Sequence, residues 1–203
     1  MANLINATPL YNFLKYCNMS SLDKKILDCG AGGKNPPLSL FYEHGYEVYG
    51  IEVCAEQIER AKAFSEQSKC NLNIMEGDMT AIPFDENTFS FLYSYNTSVH
   101  MKKKSFQSAV SEFHRVLKHG GLCYLNFLNS DCDTFKSGED NGSGEIKVTE
   151  DGVDTLFSHY TLQEVEELII RFEVIYEEKK TIKRNINGEE VRSGYYDFIL
   201  KKI

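Results

Sequence analysis

The chain has 203 residues, 42% hydrophobic and 12% aromatic, which is enough for one domain with a substantial core and too apolar for a disordered segment. Its 30 acidic side chains outnumber 22 basic ones, a net charge of −8, which argues against non-specific nucleic-acid binding, because that depends on Lys and Arg neutralising phosphates. No apolar run approaches the roughly 20 residues needed to span a membrane.

The opening residues 1–17 hold neither a basic leader nor an uninterrupted apolar stretch, so they do not read as a signal peptide. Six cysteines (Cys17, Cys29, Cys54, Cys70, Cys123 and Cys132) are scattered without a CxxC pair. In this context they read as reduced thiols in a cytoplasmic protein. The five histidines are equally dispersed, and no metal site is expected.

In chain order, Leu10, Phe13, Leu14 and Cys17 recur at helical spacing and predict an amphipathic helix within residues 1–22, a possible cap over a site. A short apolar strand, Lys25–Cys29, runs into the turn Gly30-Ala31-Gly32-Gly33. Pro36 and Pro37 suit the first turn of a helix and Gly45 its end. Strands are expected at Glu47–Glu52, 72–76 and 89–95, and a helix at 56–69. Phe106, Ala109, Val110, Phe113, Val116 and Leu117 trace one face of a helix over 105–118, with Gly120-Gly121 as its stop and a strand at 122–128 beyond. The polar stretch 129–152, rich in Gly, Ser and Asp, reads as a long surface loop of the kind that can serve as a lid. Thr161-Leu-Gln-Glu164 is a capping box opening a helix with inner face Leu162, Val165, Leu168 and Ile169. Two strands, 172–179 and 195–201, follow with no helix between them and with Asn187-Gly188 as a turn signal, so they pair antiparallel. The alternation predicts a single α/β domain: a doubly wound, Rossmann-like, mostly parallel seven-stranded sheet closed by an antiparallel C-terminal hairpin.

In such a sheet ligands bind beyond the C-terminal strand ends, near the point where strand order reverses. Four sets of residues fall there. Asp28-Cys29-Gly30-Ala31-Gly32-Gly33 is a bend whose glycines let backbone pass close to a ligand. Spacing excludes two phosphate-binding readings of it: GxGxxG from Gly30 needs glycine where Asn35 stands, and GxxxxGK[ST] needs glycine at Asp28 and Ser or Thr at Asn35. Glu52, at the end of the next strand, suits the paired hydroxyls of a ribose. Gly77-Asp78-Met79 follows the third strand, where the carboxylate suits an exocyclic amine and Met79 with Val53 offers apolar faces to a base. Ser94-Tyr95-Asn96 follows the fourth.

The runs ILDCGAGGKN, the acidic Glu52, GDMTAIPF, FSFLYSYNTSVHM and EFHRVLKHGGLCYLNF resemble, in that order, the motifs of the class I S-adenosylmethionine-dependent methyltransferases. The resemblance covers residues 25–127, and the closing hairpin resembles that family's reversed seventh strand. It departs from the family at Lys34, where a third glycine is usual and Gly33 falls one place early, and at His119, where proline is common. The resemblance implies S-adenosylmethionine as cofactor, left as S-adenosylhomocysteine, with Asp28, Gly30, Ala31 and Gly32 around its methionine part. By the same resemblance Glu52 holds the ribose, Asp78, Met79 and Val53 the adenine, and Tyr95 and Asn96 the methionine amino group.

The implied reaction is an in-line displacement whose main requirement is alignment, since the sulfonium already activates the methyl. His100 and Tyr95 are the candidate catalytic groups, and Tyr11, His159 and Tyr160 the candidate acceptor contacts. After the fourth strand there is no Asn-Pro-Pro-Tyr run and no Pro-Cys pair. The acceptor is therefore expected to be a small molecule, handled by a monomer or homodimer without a membrane or nucleic-acid partner. Nucleic-acid or protein methyl transfer, a non-catalytic S-adenosylmethionine-binding protein and a nicotinamide-dependent oxidoreductase are the alternatives.

Overall fold

The computed structural model describes residues 7–140, 142–150, 153–186 and 188–203. Helix α1 (Thr8–Met19) buries Leu10, Phe13, Leu14 and Cys17, the stripe expected from their spacing. Strand β1 (Lys25–Cys29), helix α2 (Leu38–Glu43), strand β2 (Glu47–Glu52), helix α3 (Ala55–Ser68) and strand β3 (Ile74–Glu76) make the first half. Strand β4 (Phe89–Ser94), buried along its whole length, is followed by a 3₁₀ turn, Ser98–His100, helix α4 (Lys103–Val116) and strand β5 (Leu117–Leu128). After β5 come helix α5 (Thr134–Ser137), strands β6 (Glu139–Asp140), β7 (Glu145–Glu150) and β8 (Val153–Ser158), helix α6 (Leu162–Leu168), and strands β9 (Phe172–Ile186) and β10 (Glu189–Lys202).

Seven strands form one sheet in the order β3-β2-β1-β4-β5-β10-β9. β1 to β5 are parallel, and β10 alone runs against its neighbours β5 and β9. The strand order reverses between β1 and β4, so a crevice opens beyond their C-terminal ends. One apolar layer joins α4 and α6 to the sheet through Phe106, Phe113, Phe127 and Val165. The other joins α1 and α2 through Phe13, Phe41 and Tyr93. Fully buried Phe13 meets the rings of Phe41, Tyr93 and Tyr124 at 6.1, 6.5 and 5.9 Å, and each such side chain removed from water contributes about 1.5–3 kcal/mol. α1 is therefore fixed to the sheet as part of the core.

The Thr161 capping box forms in both directions: Thr161 Oγ1 accepts from the Glu164 amide at 3.2 Å, and Glu164 Oε2 accepts from the Thr161 amide at 2.8 Å. Three expectations need correction. Helix α4 ends at Val116, because Leu117 is already extended, and Gly120-Gly121 lies inside β5, with Gly120 at φ +76° beside a register shift against β4. The closing hairpin is longer than expected, reaching Ile186 and restarting at Glu189. Of its turn, Gly188 sits at φ +91°, and Asn187 lies outside the described residues.

The third correction concerns residues 129–152. They are not one long loop: α5, β6 and β7 lie within them, β8 completes the antiparallel β6-β7-β8 sheet just beyond, and residues 141, 151 and 152 lie outside the described set. The alternation Ile146 (0% exposed), Val148 (8%) drives β7 inward against a Gly- and Ser-rich background. The small sheet packs on the segment after β4. The Leu156 carbonyl receives His100 Nδ1 at 3.0 Å, Ser158 Oγ donates to the Met101 carbonyl at 2.5 Å, and the Lys103 amide donates to Glu145 Oε1 at 2.7 Å.

Candidate functional site

Two cavities open at the C-terminal edge of the sheet, one on each side of the segment Tyr95-Asn96-Thr97. The first, about 430 Å³, is walled by Gly30, Ile51, Glu52, Val53, Gly77, Asp78, Met79 and Thr80 on one side and by Thr97, His100, Met101 and Lys102 on the other. The carboxylates expected to serve a nucleoside thus meet in one cleft, because β2 and β3 are neighbours in register from Gly50↔Ile74 to Glu52↔Glu76. Glu52 is aimed by its own surroundings: Oε1 accepts from the Cys54 amide at 2.9 Å and Oε2 from the Gly32 amide at 3.3 Å. Asp78 Oδ1 accepts from the Thr80 amide at 2.8 Å. Met79 is buried and Val53 is 64% exposed, so one can floor and the other cover an aromatic base.

The Gly-rich turn works by shape. Gly30 stands at φ +103°, and a Cβ there would lie 2.3 Å from Thr97 Oγ1; one at Gly32 would lie 2.5 Å from Gln57 Cβ. Four successive amides are already spent inside the protein: Gly30 and Ala31 donate to the Ile51 carbonyl, Gly32 to Glu52 and Gly33 to the Gln57 carbonyl. A phosphate-binding loop instead leaves such amides free for the anion. The turn therefore suits a ligand without phosphate, and it disfavours a dinucleotide on a second ground besides Asn35.

Two residues of the turn sit deeper than expected. Ala31 is fully buried, with its side chain against Gly50 of β2. Asp28 is 2% exposed and lines neither cavity; the Tyr93 hydroxyl donates to its Oδ2 at 2.7 Å. Burial pushes its carboxyl up to about 7 against that hydrogen bond, with the nearby Glu52 charge adding to the rise.

The second cavity, about 490 Å³, is lined by Thr8, Pro9 and Asn12 of α1, Tyr95 and Asn96 after β4, Tyr124 and Asn126 of β5, and a face of the β9–β10 hairpin. Asn96 holds a left-handed backbone, φ +57°, which asparagine tolerates better than most residues. Asn126, 2% exposed, holds it there: its Oδ1 accepts from the Asn96 amide at 2.8 Å, and its Nδ2 donates to Asn96 Oδ1 at 2.6 Å. Ser98 Oγ donates to the Asn126 carbonyl at 2.7 Å. The wall between the two cavities is thereby fixed from β5. Asn126 was missed in the sequence, although its signal was a lone amide inside the apolar run Leu-Cys-Tyr-Leu-Asn-Phe-Leu.

The candidate catalytic pair is divided between the cavities. His100 stands in the first, its Nδ1 bound to Leu156 and its ring 5.1 Å from Phe157. Tyr95 stands in the second, half-buried, and burial raises its phenol above the ordinary range, so it enters neutral solution protonated. The candidate acceptor contacts line neither cavity. Tyr11 points away while Thr8, Pro9 and Asn12 of the same helix line the second. His159, 2% exposed, binds Thr134 through Nε2 at 2.9 Å, and Tyr160, 4% exposed, packs on Phe127 at 5.1 Å under Lys103. Both pack beside α5 and α6 and line a smaller cavity of about 190 Å³ there, with Lys103, Phe135 and Glu164.

Among the described residues no helix is long and apolar enough to cross a membrane and no cluster of His, Cys, Asp and Glu could hold a metal.

Residues 27–125 match the family model of a methyltransferase domain. With the strand order and the motif positions above, they make the chain similar to the class I S-adenosylmethionine-dependent methyltransferases. The sterol 24-C-methyltransferase of Pneumocystis carinii is 38% identical over 101 residues, 48% of this chain but only 26% of that enzyme's length. A solved protein from Pyrococcus horikoshii superposes with a TM-score of 0.78 at 19% identity, covering 99% of this chain and 93% of that one. A SAM-dependent methyltransferase from Methanosarcina mazei gives 0.77 at 22%, over 93% and 97%. At these identities the structural likeness is one of fold.

Proposed function

We propose that this protein transfers the methyl group of S-adenosylmethionine to a small-molecule acceptor, with the nucleoside in the first cavity and the acceptor in the second. The observation that carries the reading is the convergence of Glu52, Asp78 and the Gly30 turn on one cleft, divided by the Asn96 wall from a second cavity of similar size. When bound, the cofactor supplies a methyl carbon made electrophilic by its sulfonium. Glu52 accepts from the ribose hydroxyls, Asp78 from the adenine amine, and Met79 with Val53 brackets the base. Gly30, lacking a Cβ, lets the methionine part pass over Thr97 toward Tyr95 and Asn96. Asn126 holds that crossing point rigid, and a well-held near-attack geometry contributes about 7–11 kcal/mol in favourable systems. α1 and the hairpin exclude water from the acceptor side. The six cysteines are unpaired, which fits work in a reducing compartment such as the cytoplasm.

Calorimetric titration with S-adenosylhomocysteine tests the first cavity, and release of labelled methyl onto metabolite fractions tests the transfer. Affinity no tighter than millimolar would remove the basis of the reading. A second reading, a binding protein without transfer, draws on one observation: His100 and Tyr95 offer no free base to the second cavity. Single-turnover methyl transfer to any metabolite eliminates it.

A further inference from the structure

We infer that Asp197 and Tyr124, at the floor of the second cavity, form a recognition site for a small polar acceptor carrying an N–H or O–H donor, and that this cavity does not take a sterol or other isoprenoid. The inference rests on the methyl-transfer reading and deepens it. Both residues are 1% exposed and both line the cavity. Asp197 Oδ2 is held by Lys180, whereas Asp197 Oδ1 and the Tyr124 hydroxyl, near enough to interact with each other, make no hydrogen bond of good geometry among the described residues. Buried polar atoms are seldom left this way, because the lost hydration is not returned. Two of them on the wall of one cavity point to a ligand that completes them. A carboxylate oxygen only accepts, so the ligand must donate.

The rest of the lining agrees. Glu178 lies directly across the hairpin from Asp197, and Lys180 and Arg184 are the cations of the same lining. Burial raises Asp197, with the Glu178 charge adding to it, while Lys180 and the Tyr124 hydroxyl oppose them. The rings of Tyr95, Tyr176 and Tyr195 stand around the space, and Pro9 and Ile182 are the only purely aliphatic side chains among the lining residues. A fused hydrocarbon ring system would have to strip water from these charges and could return at most the one hydrogen bond of a lone hydroxyl. The floor and walls contributed by α1 and the hairpin also lie outside residues 27–125, the stretch that matches the methyltransferase model.

The test offers the wild-type enzyme labelled S-adenosylmethionine with ethanolamine, histamine, tyramine and catechol, and separately with lanosterol and squalene in detergent. Methylation of at least one polar compound and of neither isoprenoid is expected. For the accepted compound, Tyr124→Phe raises KM about tenfold, the loss of one hydrogen bond, and leaves S-adenosylhomocysteine affinity unchanged. Its thermal midpoint stays level or rises, since an unpartnered buried hydroxyl is removed. Asp197→Asn raises KM further at unchanged cofactor affinity. Transfer to lanosterol or squalene, no transfer to any polar compound, or a Tyr124→Phe variant with lowered midpoint and intact KM each overturns the assignment. In all three cases continued S-adenosylhomocysteine binding leaves the methyl-transfer reading standing, whereas failure of the wild type to bind it brings down both.

Discussion

Replacing Glu52 by alanine separates the two duties of that side chain. In the free protein its oxygens accept from the Gly32 and Cys54 amides at 3.3 and 2.9 Å. The first contact is at the long end for N–H···O and the second is exposed, so their loss costs folding about 1 kcal/mol. In the complex each ribose hydroxyl donates to a charged acceptor, an interaction of about 1.5–3 kcal/mol. Taking the lower half of that range for a partly exposed carboxylate, two such bonds amount to about 3–4 kcal/mol, or about 100–1000-fold in affinity. Glu52→Gln keeps one accepting oxygen but turns an amide N–H₂ toward a backbone donor, and should lose about tenfold or somewhat more. Titration calorimetry with S-adenosylhomocysteine, paired with urea unfolding to show the fold intact, reads both effects. An alanine variant that folds normally and binds within about threefold of wild type would falsify the ribose assignment.

Asn126→Ala strands the Asn96 amide and removes the second hydrogen bond of the pair; urea unfolding should show a loss of about 2–4 kcal/mol, and kcat should fall more than cofactor affinity. An unchanged kcat at lowered stability would confine Asn126 to structure. Gly30→Ala sets a Cβ 2.3 Å from Thr97 Oγ1 at φ +103°; cofactor binding should be abolished, and Thr97→Ala added to it should restore only part, since the backbone strain of about 1–2 kcal/mol persists. Full restoration would show the strain to be negligible. Asp28 has its carboxyl raised to about 7. A folded-state value above the unfolded one means the native protein holds the proton longer, so this group's stabilisation is complete below the ordinary carboxylate range and fades as pH rises through about 7. The difference in unfolding free energy between wild type and Asp28→Asn should therefore move in the variant's favour from acid to neutral pH, and a flat difference would refute the shift.

Much of this was readable in the residues because the signals were redundant. The stripe Leu10, Phe13, Leu14 and Cys17, the Thr161–Glu164 capping box and the apolar strand runs each state their own geometry, and the doubly wound topology leaves few other arrangements for them. The carboxylates Glu52 and Asp78 were legible for the same reason, since the fold sends every strand end to one edge. What escaped had weak local signals. The alternation of Ile146 and Val148 was masked by neighbouring Gly, Ser and Asp. Asn126 passed as part of an apolar strand, although a lone amide in such a run is a mark of a buried polar contact. The acceptor side was least legible because it draws on α1, β5 and a hairpin far apart in sequence. Lys180 and Asp197 gave no local sign of their ion pair, which exists only because the antiparallel register of the hairpin brings them together. His159 and Tyr160 were singled out by their place before a helix start, and folding sets them apart from both large cavities, in a smaller one beside α6.

The spent amides of the glycine turn bear on how the first cleft would meet ATP. That nucleotide carries the same adenosine as the cofactor and could in principle occupy the first cleft. Its triphosphate would find no N–H from Gly30 to Gly33 to receive it, and it would approach a carboxylate in Glu52 on a chain of net charge −8. Rejection of the triphosphate would then come from hydrogen bonds the turn makes with the Ile51 and Gln57 carbonyls and the Glu52 side chain, together with the Glu52 charge.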